Sequence, residues 1–500
     1  MGTEPTERAV AHSGRRTNLA LAAVSAGVFL TALDQTMVVT IIPSILRDLR
    51  IPITRLDDAA WIVTGYLLGY TVAMPLFGRV ADVRGRRLFY LVALVVFMAG
   101  SVLCVLAPDL TTLVAARVIQ AAGGGAVVPI AMAVAAYLFP PRRLAFALGI
   151  IGAAAEAGGV LGPLYGAELA DIWGWRIVFL INVPLGLGLL AAGWWLIPRS
   201  TGEQGEGQRI DFAGAALLAL SLTSLVVGIG GSTETGAGAI RPEWLTTSAV
   251  SFLAFVGWQL RYAHPLISLD LFRRIPFSAA NLANVAVGAA LIVGLVEIPL
   301  FAYSLLGESE VGGARLLLRL TLMIPVGAVV GGWLADKAGY RIVGAAGFTV
   351  TGLGYLLVSS WPADPASLLM TRDLAITGFG LGLVIAPINA TVIASTGARW
   401  MATGAALVTV ARMVGMMVGL AALSSWGIRR FNSLMVGTEI PLQTGGMTDT
   451  EYQTLVRQYE ETLGEALRTV YAEFFVAAAV IAFVAVIPAL FLLRRRREPA

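Results

Sequence analysis

Apolar stretches long enough to cross a bilayer recur between residues 19 and 493, and no other feature limits the fold so strongly. A helix needs about 20 apolar residues to span the hydrocarbon layer. Inside lipid every backbone N–H and C=O must find a partner within the protein, so runs of this length read as transmembrane helices. With 57% hydrophobic and 13% charged residues, the 500-residue chain is no soluble protein. The expected fold class is all-α and polytopic.

Six spans fall near 19–49, 57–81, 87–107, 111–139, 144–169 and 177–197. Two more lie near 211–230 and 244–262, and a second six near 277–306, 312–335, 341–360, 369–395, 401–436 and 450–493. This divides the chain into a tail (1–18), a six-helix bundle (19–198), a linker with two transmembrane helices (199–275), a second six-helix bundle (276–493) and a basic tail (494–500). Arg15 and Arg16 before Leu19 resemble the start of a signal peptide. The run that follows is too long and lacks a clear cleavage site, so it reads as a retained first span. Arg84, Arg86, Arg87, Arg142, Arg143, Arg199, Arg209, Arg273, Arg274, Lys337, Arg341, Arg399 and the cluster at 494–497 fall on the same side of this layout as Arg15 and Arg16. Basic loops stay on the cytoplasmic side, so both termini are expected there, in a bacterial inner membrane.

The two bundles carry an internal repeat. Gly78, Ala81, Asp82, Gly85 and Arg87 match Gly332, Ala335, Asp336, Gly339 and Arg341 at one constant offset. Within GRVADVRGRR, Asp82 can cap a helix end while Arg86 and Arg87 reach phosphates or carbonyls, latching a cytoplasmic gate between the bundles. Positive-inside topology alone would explain the arginines, but not why the repeat keeps the aspartate. A repeated six-span unit implies two bundles around a central site and alternating access.

The fifth span, GAAAEAGGVLGPLYG at 152–166, places Gly158, Gly162 and Gly166 on one face where another backbone can approach closely. Pro163 removes a backbone bond and is expected to kink this helix. Glu156 lies about 200° round the helix from Gly158, away from the glycine seam. Asp34 in the first span, Arg117 and Gln120 in the fourth, Glu297 in the seventh of the twelve bundle helices and Arg412 in the eleventh are the other intramembrane polar groups singled out. Acids facing basic partners can load and release a proton as a cavity alternates between sides. Asp34 and Glu156 are the favoured carriers, and Arg412 is a counter-charge because Arg does not deprotonate. The competing reading of each is a static ion pair.

The last two spans outrun the bilayer. Thr448 and Glu451 form a capping box, after which Tyr452, Leu455, Val456, Tyr459, Leu463, Leu467, Val470 and Phe474 recur at helical spacing. A helical hairpin at about 427–471 is expected to stand outside the membrane on the extracytoplasmic side. Several chemistries are excluded. One cysteine, Cys104, allows no internal disulfide, and His12 and His264 give no zinc spacing. Gly123–125 is no phosphate loop, since neither a strand nor a lysine accompanies it. No cofactor, metal or nucleic acid is expected, and no acid pair or His–Ser–Asp set suggests an enzyme.

The motifs resemble those of the major facilitator superfamily, and the extra central pair resembles its fourteen-helix drug:proton antiporter branch. GRVADVRGRR is like its cytoplasmic-loop motif, RVIQAAGG like its fourth-helix motif and GGVLGPLYG like its antiporter motif, although Ala167 stands where a second glycine is common. WGWRIVFLINVPLG at 173–186 also resembles this branch. A narrower resemblance, carried by WIVTGYLLGYTVAMPLFGR, the Glu-containing fifth helix, VARMVGMMVGLAALSSWGIRRFN and the long hairpin, is to mycobacterial triacylglyceride exporters that work with a lipid-binding lipoprotein. The resemblance implies functional roles for Asp34, Glu156 and Arg412. It implies proton-coupled export of lipid, with multidrug:proton antiport as the alternative. Expected partners are membrane lipid, protons and such a lipoprotein, for a transporter acting as a monomer.

Overall fold

A computed structural model of the chain describes residues 14–50, 61–199, 211–229, 241–262, 265–308, 310–362, 364–396, 400–438, 441 and 448–493. Arg209, Arg399, both histidines and the basic tail lie outside the described residues. The first half comprises α1 (Gly14–Asp48), α2 (Trp61–Arg84), α3 (Arg86–Leu106), α4 (Leu110–Leu138), α5 (Pro141–Trp173) and α6 (Trp175–Leu180 continuing as Asn182–Leu196). α7 (Phe212–Ile229) and α8 (Pro242–Arg261) follow, then a 3-10 turn at Leu269–Arg273. The second half comprises α9 (Ile275–Leu305), α10 (Glu310–Thr321 continuing as Met323–Ala338), α11 (Tyr340–Ser359), α12 (Ser367–Thr396), α13 (Met401–Leu434) and α14 (Asp449–Ala489). No strand occurs among the described residues.

Among the described residues, twelve helices are long and apolar enough to cross a membrane, and these are the six of each half. The linker pair is shorter or more polar: the apolar run of α7 is Phe212–Leu225, and α8 opens with PEWLTTS. Two expected spans are interrupted rather than continuous, α6 at Ile181 and α10 at Leu322. The helix α5, expected to kink at Pro163, runs without interruption through it.

The packing repeats as the sequence does. In the first half α1 packs on α5 and α6, and α4 on α2 and α3, with α6 also on α3. In the second half α9 packs on α13 and α14, and α12 on α10 and α11, with α14 also on α11. Between the halves α2 meets α13, and α5 meets α10. These two crossings join the second helix of one half to the fifth of the other, and the fourth helix of each half also touches the fifth of the other.

Glycine makes the closest of these crossings possible. A Cβ on Gly158 would lie 2.4 Å from the carbonyl oxygen of Phe29, on Gly162 2.0 Å from Thr36 Oγ1, and on Gly166 2.5 Å from the carbonyl oxygen of Met37. The seam read from the sequence thus faces α1. Gly85 and Gly339, the short turns after α2 and α10, have φ of 108° and 95°, a region open to glycine but strained for other residues.

Candidate functional site

Asp34 sits on α1 with no exposed surface, in a network drawn from three other helices. Arg117 Nη1 donates to Asp34 Oδ2 at 2.8 Å, Gln120 Nε2 to Oδ1 at 2.8 Å and Asn182 Nδ2 to Oδ1 at 2.6 Å. Gln120 also donates to Ser101 Oγ at 2.8 Å and accepts from Arg117 at 2.6 Å. The Arg117 guanidinium lies 3.9 Å from the centre of the Tyr66 ring. A buried carboxylate survives only when paired and hydrogen-bonded, and three side chains donate to this one. The network lies wholly within the first half.

Glu156 of α5 and Arg412 of α13 form the second centre, and they come from opposite halves. Arg412 Nη1 donates to Glu156 Oε1, and the two side chains are 19% and 14% exposed. Glu156 does face away from the seam on α1, toward the other half. Gly288 of α9 seats its partner, since a Cβ there would lie 2.0 Å from the carbonyl oxygen of Arg412. The two centres are linked along α2: Tyr66 stacks on Tyr70 at 5.9 Å between ring centres, and Tyr70 interacts electrostatically with both Glu156 and Arg412.

On the arginine-rich side the repeated motif makes two reciprocal contacts. Asp82 accepts from the backbone N–H of Ala402 at 3.1 Å and of Thr403 at 3.0 Å, and from Thr403 Oγ1 at 3.1 Å. Asp336 accepts from the backbone N–H of Ala145 at 3.3 Å and of Phe146 at 3.0 Å. Asp82 thereby caps the first turn of α13, where unpaired N–H groups and the helix dipole favour an anion, and Asp336 meets the N–H groups one turn into α5. Gly78 and Gly332 allow the approach, with a Cβ on them falling 2.9 Å from Ala402 O and 2.7 Å from Ala145 O.

One arginine of the motif reaches the other half: the Arg79 guanidinium lies 3.8 Å from the centre of the Trp400 ring. Arg86 lies 3.7 Å from Asp82 of its own half, Arg87 donates to the carbonyl oxygen of Trp194, and Arg341 Nε donates to the carbonyl oxygen of Leu492. Arg87 so binds one of the last carbonyls of α6, and Arg341 a carbonyl just beyond the end of α14. Asp82 and Asp336 bridge the halves because a carboxylate accepts from backbone N–H groups near a helix start.

Glu297 is 5% exposed on α9 but, among the described residues, meets no basic partner. The basic partner expected from the sequence is therefore not among them. In the hairpin, the expected capping box forms: Glu451 N–H donates to Thr448 Oγ1 at 3.3 Å, and Thr448 N–H to Glu451 Oε2 at 2.9 Å. α13 and α14 are 34 and 41 residues long. They are joined by Arg430 on Glu473 at 2.9 Å, and by Trp426 against Phe474 at 5.6 Å between ring centres. Further along, Tyr452, Tyr459 and Leu463 are half-buried and Leu455 is 42% exposed, so the apolar stripe is packed at its base only.

Asn182 and Ser101 are the polar groups that sequence reasoning missed. Asn182 stands alone among apolar residues in FLINVPLG, a cue available in the sequence.

Comparison with known proteins agrees with this arrangement. A triacylglyceride transporter of Mycobacteroides abscessus is 41% identical over 83% of this chain and 84% of its own. A triacylglyceride transporter of Mycobacterium tuberculosis is 38% identical over 94% of this chain and 93% of its own. The crystal structure of the E. coli fucose:proton symporter superposes with a TM-score of 0.60 at 13% identity, over 94% of this chain and 99% of that one, a likeness of fold alone. The family profile described as Major Facilitator Superfamily matches residues 24–420, from α1 into α13, and this chain belongs to that superfamily.

Proposed function

We propose that this chain is a proton-coupled exporter of triacylglyceride, moving it from the bacterial inner membrane toward the envelope by alternating access. The observation that carries the substrate is the likeness to two transporters named for triacylglyceride, over 83% and 94% of this chain. Coupling is assigned to the Glu156–Arg412 pair, because it alone among the intramembrane charges singled out joins the two halves. A proton on Glu156 removes the attraction that holds α5 to α13 at mid-depth, and its loss restores it. Asp34 is the second acid, tied through Arg117, Tyr66 and Tyr70 to the first. Glu297, buried without a counter-charge among the described residues, is the third. The arginine-rich side is cytoplasmic under this reading, so Asp82 and Asp336 hold the cytoplasmic gate shut. The long hairpin of α13 and α14 stands in the extracytoplasmic space and passes lipid to a lipid-binding lipoprotein, the transporter acting as a monomer.

The test is transport in proteoliposomes with an imposed pH gradient, measuring a triacylglyceride and an amphipathic cationic drug in parallel. Gradient-driven lipid movement that Glu156→Gln abolishes is the expected result. Drug movement without lipid movement would overturn the substrate in favour of multidrug:proton antiport.

A further inference from the structure

A cavity of about 370 Å³ opens beside the ends of α1, α4 and α6 on the arginine-rich side, away from both charge centres. Arg16, Thr17, Tyr137 and Arg199 supply its polar lining, and Leu138 and Leu196 its apolar wall. Among the described residues, no carboxylate lines it. Arg16 Nη2 donates to the carbonyl oxygen of Trp195 at 3.0 Å, and Arg87 to that of the adjacent Trp194. Arg87 in turn lies close enough to Arg199 to feel its charge. Three guanidinium groups are therefore gathered at one helix end, and two of them are oriented by backbone carbonyls. Each guanidinium carries five N–H donors in a planar fork, so one bond to a carbonyl leaves most of them for a ligand. Trp194 and Trp195 beside them are 52% and 73% exposed, as tryptophans at the headgroup level of a membrane are.

We propose that this cavity binds the phosphate headgroup of an anionic phospholipid from the adjoining leaflet. Guanidinium forks match phosphate oxygens two at a time. A phosphate between Arg16 and Arg199, with Arg87 beside them, relieves a repulsion among like charges that no carboxylate among the described lining residues offsets. Basic pockets between helices at the membrane surface take such headgroups. A free phosphate satisfies the same donors, but it makes no use of the apolar wall or the flanking tryptophans. The site is independent of the transported substrate and of the proton-coupling residues.

The experiment titrates the full-length protein in neutral detergent with phosphatidylglycerol, phosphatidylcholine or glycerol 3-phosphate and follows the unfolding temperature. Phosphatidylglycerol is expected to raise it, with phosphatidylcholine and the soluble phosphate ester giving no shift. The shift is expected to vanish in Arg16→Gln/Arg199→Gln and to persist in Arg143→Gln, which removes a charge from the same side outside the cavity. Native mass spectrometry of the unaltered protein, counting phosphatidylglycerol adducts in competition with phosphatidylcholine, needs no variant to fold. An equal shift with glycerol 3-phosphate would make this a soluble-anion site. A full shift in the double variant, or no preference for the anionic lipid in either measurement, would overturn the site itself.

Discussion

Glu156 and Arg412 are worth more to each other than either is alone, because both are largely withdrawn from water. Removing one member leaves a charge in a poor solvent without its counter-charge, which is the expensive half of any buried pair. Glu156→Gln and Arg412→Ala are therefore each expected to slow gradient-driven transport about tenfold or more, the consequence of roughly 1.4 kcal/mol at the limiting step. Arg457→Ala, on the exposed face of α14, removes an arginine without orphaning a buried acid and should leave the rate unchanged. The exchange Glu156→Arg with Arg412→Glu keeps the pair while reversing it. If the exchanged protein folds and transports no better than the single variants, attraction between these two side chains is not what couples the halves. Rates in proteoliposomes, with unfolding temperature as the check on folding, decide between them.

Whole helices obey the same logic through their glycines and caps. On α5, a Cβ at Gly162 would collide with Thr36 Oγ1 at 2.0 Å, whereas one at Gly159 would meet nothing within 4 Å. Overpacking costs about 1–3 kcal/mol, while a helical Gly→Ala in open space gains roughly 1 kcal/mol. Gly162→Ala should lower the unfolding temperature and Gly159→Ala should hold or raise it. A drop of similar size in both would mean that the α1 seam is looser than its geometry. The caps act between halves: Asp82→Asn and Asp336→Asn each weaken charge-assisted bonds worth about 1.5–3 kcal/mol apiece. Spin labels at Arg143 and Ile342 should then report a longer-distance population, growing again in the double variant. Unchanged distances would remove the aspartates from the gate. The sequence made the seam visible because its period of four is local, and made the repeat visible because the offset is constant. It did not disclose what Asp82 touches, since Ala402 and Thr403 lie far along the chain and the capping surface is created by packing. Asn182 was hidden for the same reason: its meaning is a carboxylate on α1, and nothing in its own neighbours points there. Glu297 was misread because an acid in an apolar helix suggests a partner, and only packing tells whether one arrives.

For the molecule as a whole, the hairpin separates lipid export from drug export. At about 1.5 Å per residue, helices of 34 and 41 residues exceed the roughly 30 Å of hydrocarbon by a wide margin. An amphipathic cation released at the membrane surface diffuses away unaided. A triacylglyceride does not, because each methylene opposes transfer to water by about 0.8 kcal/mol, so an apolar surface must carry it as far as its acceptor. The half-buried stripe of Tyr452, Tyr459 and Leu463 is such a surface, and it is the part of α14 least used for packing. The base of the hairpin is different, since Trp426, Arg430, Glu473 and Phe474 lock α13 to α14 there. A cut that spares this base isolates transfer from folding: residues 436–463 replaced by a short Gly/Ser turn. The shortened protein should keep its unfolding temperature within a few degrees, since few buried contacts are removed. It should lose triacylglyceride delivery to an external acceptor lipoprotein and lose any binding to that acceptor. If it instead delivers lipid at the full rate, the extension has no part in export, and the substrate assignment would rest on the likeness to triacylglyceride transporters alone.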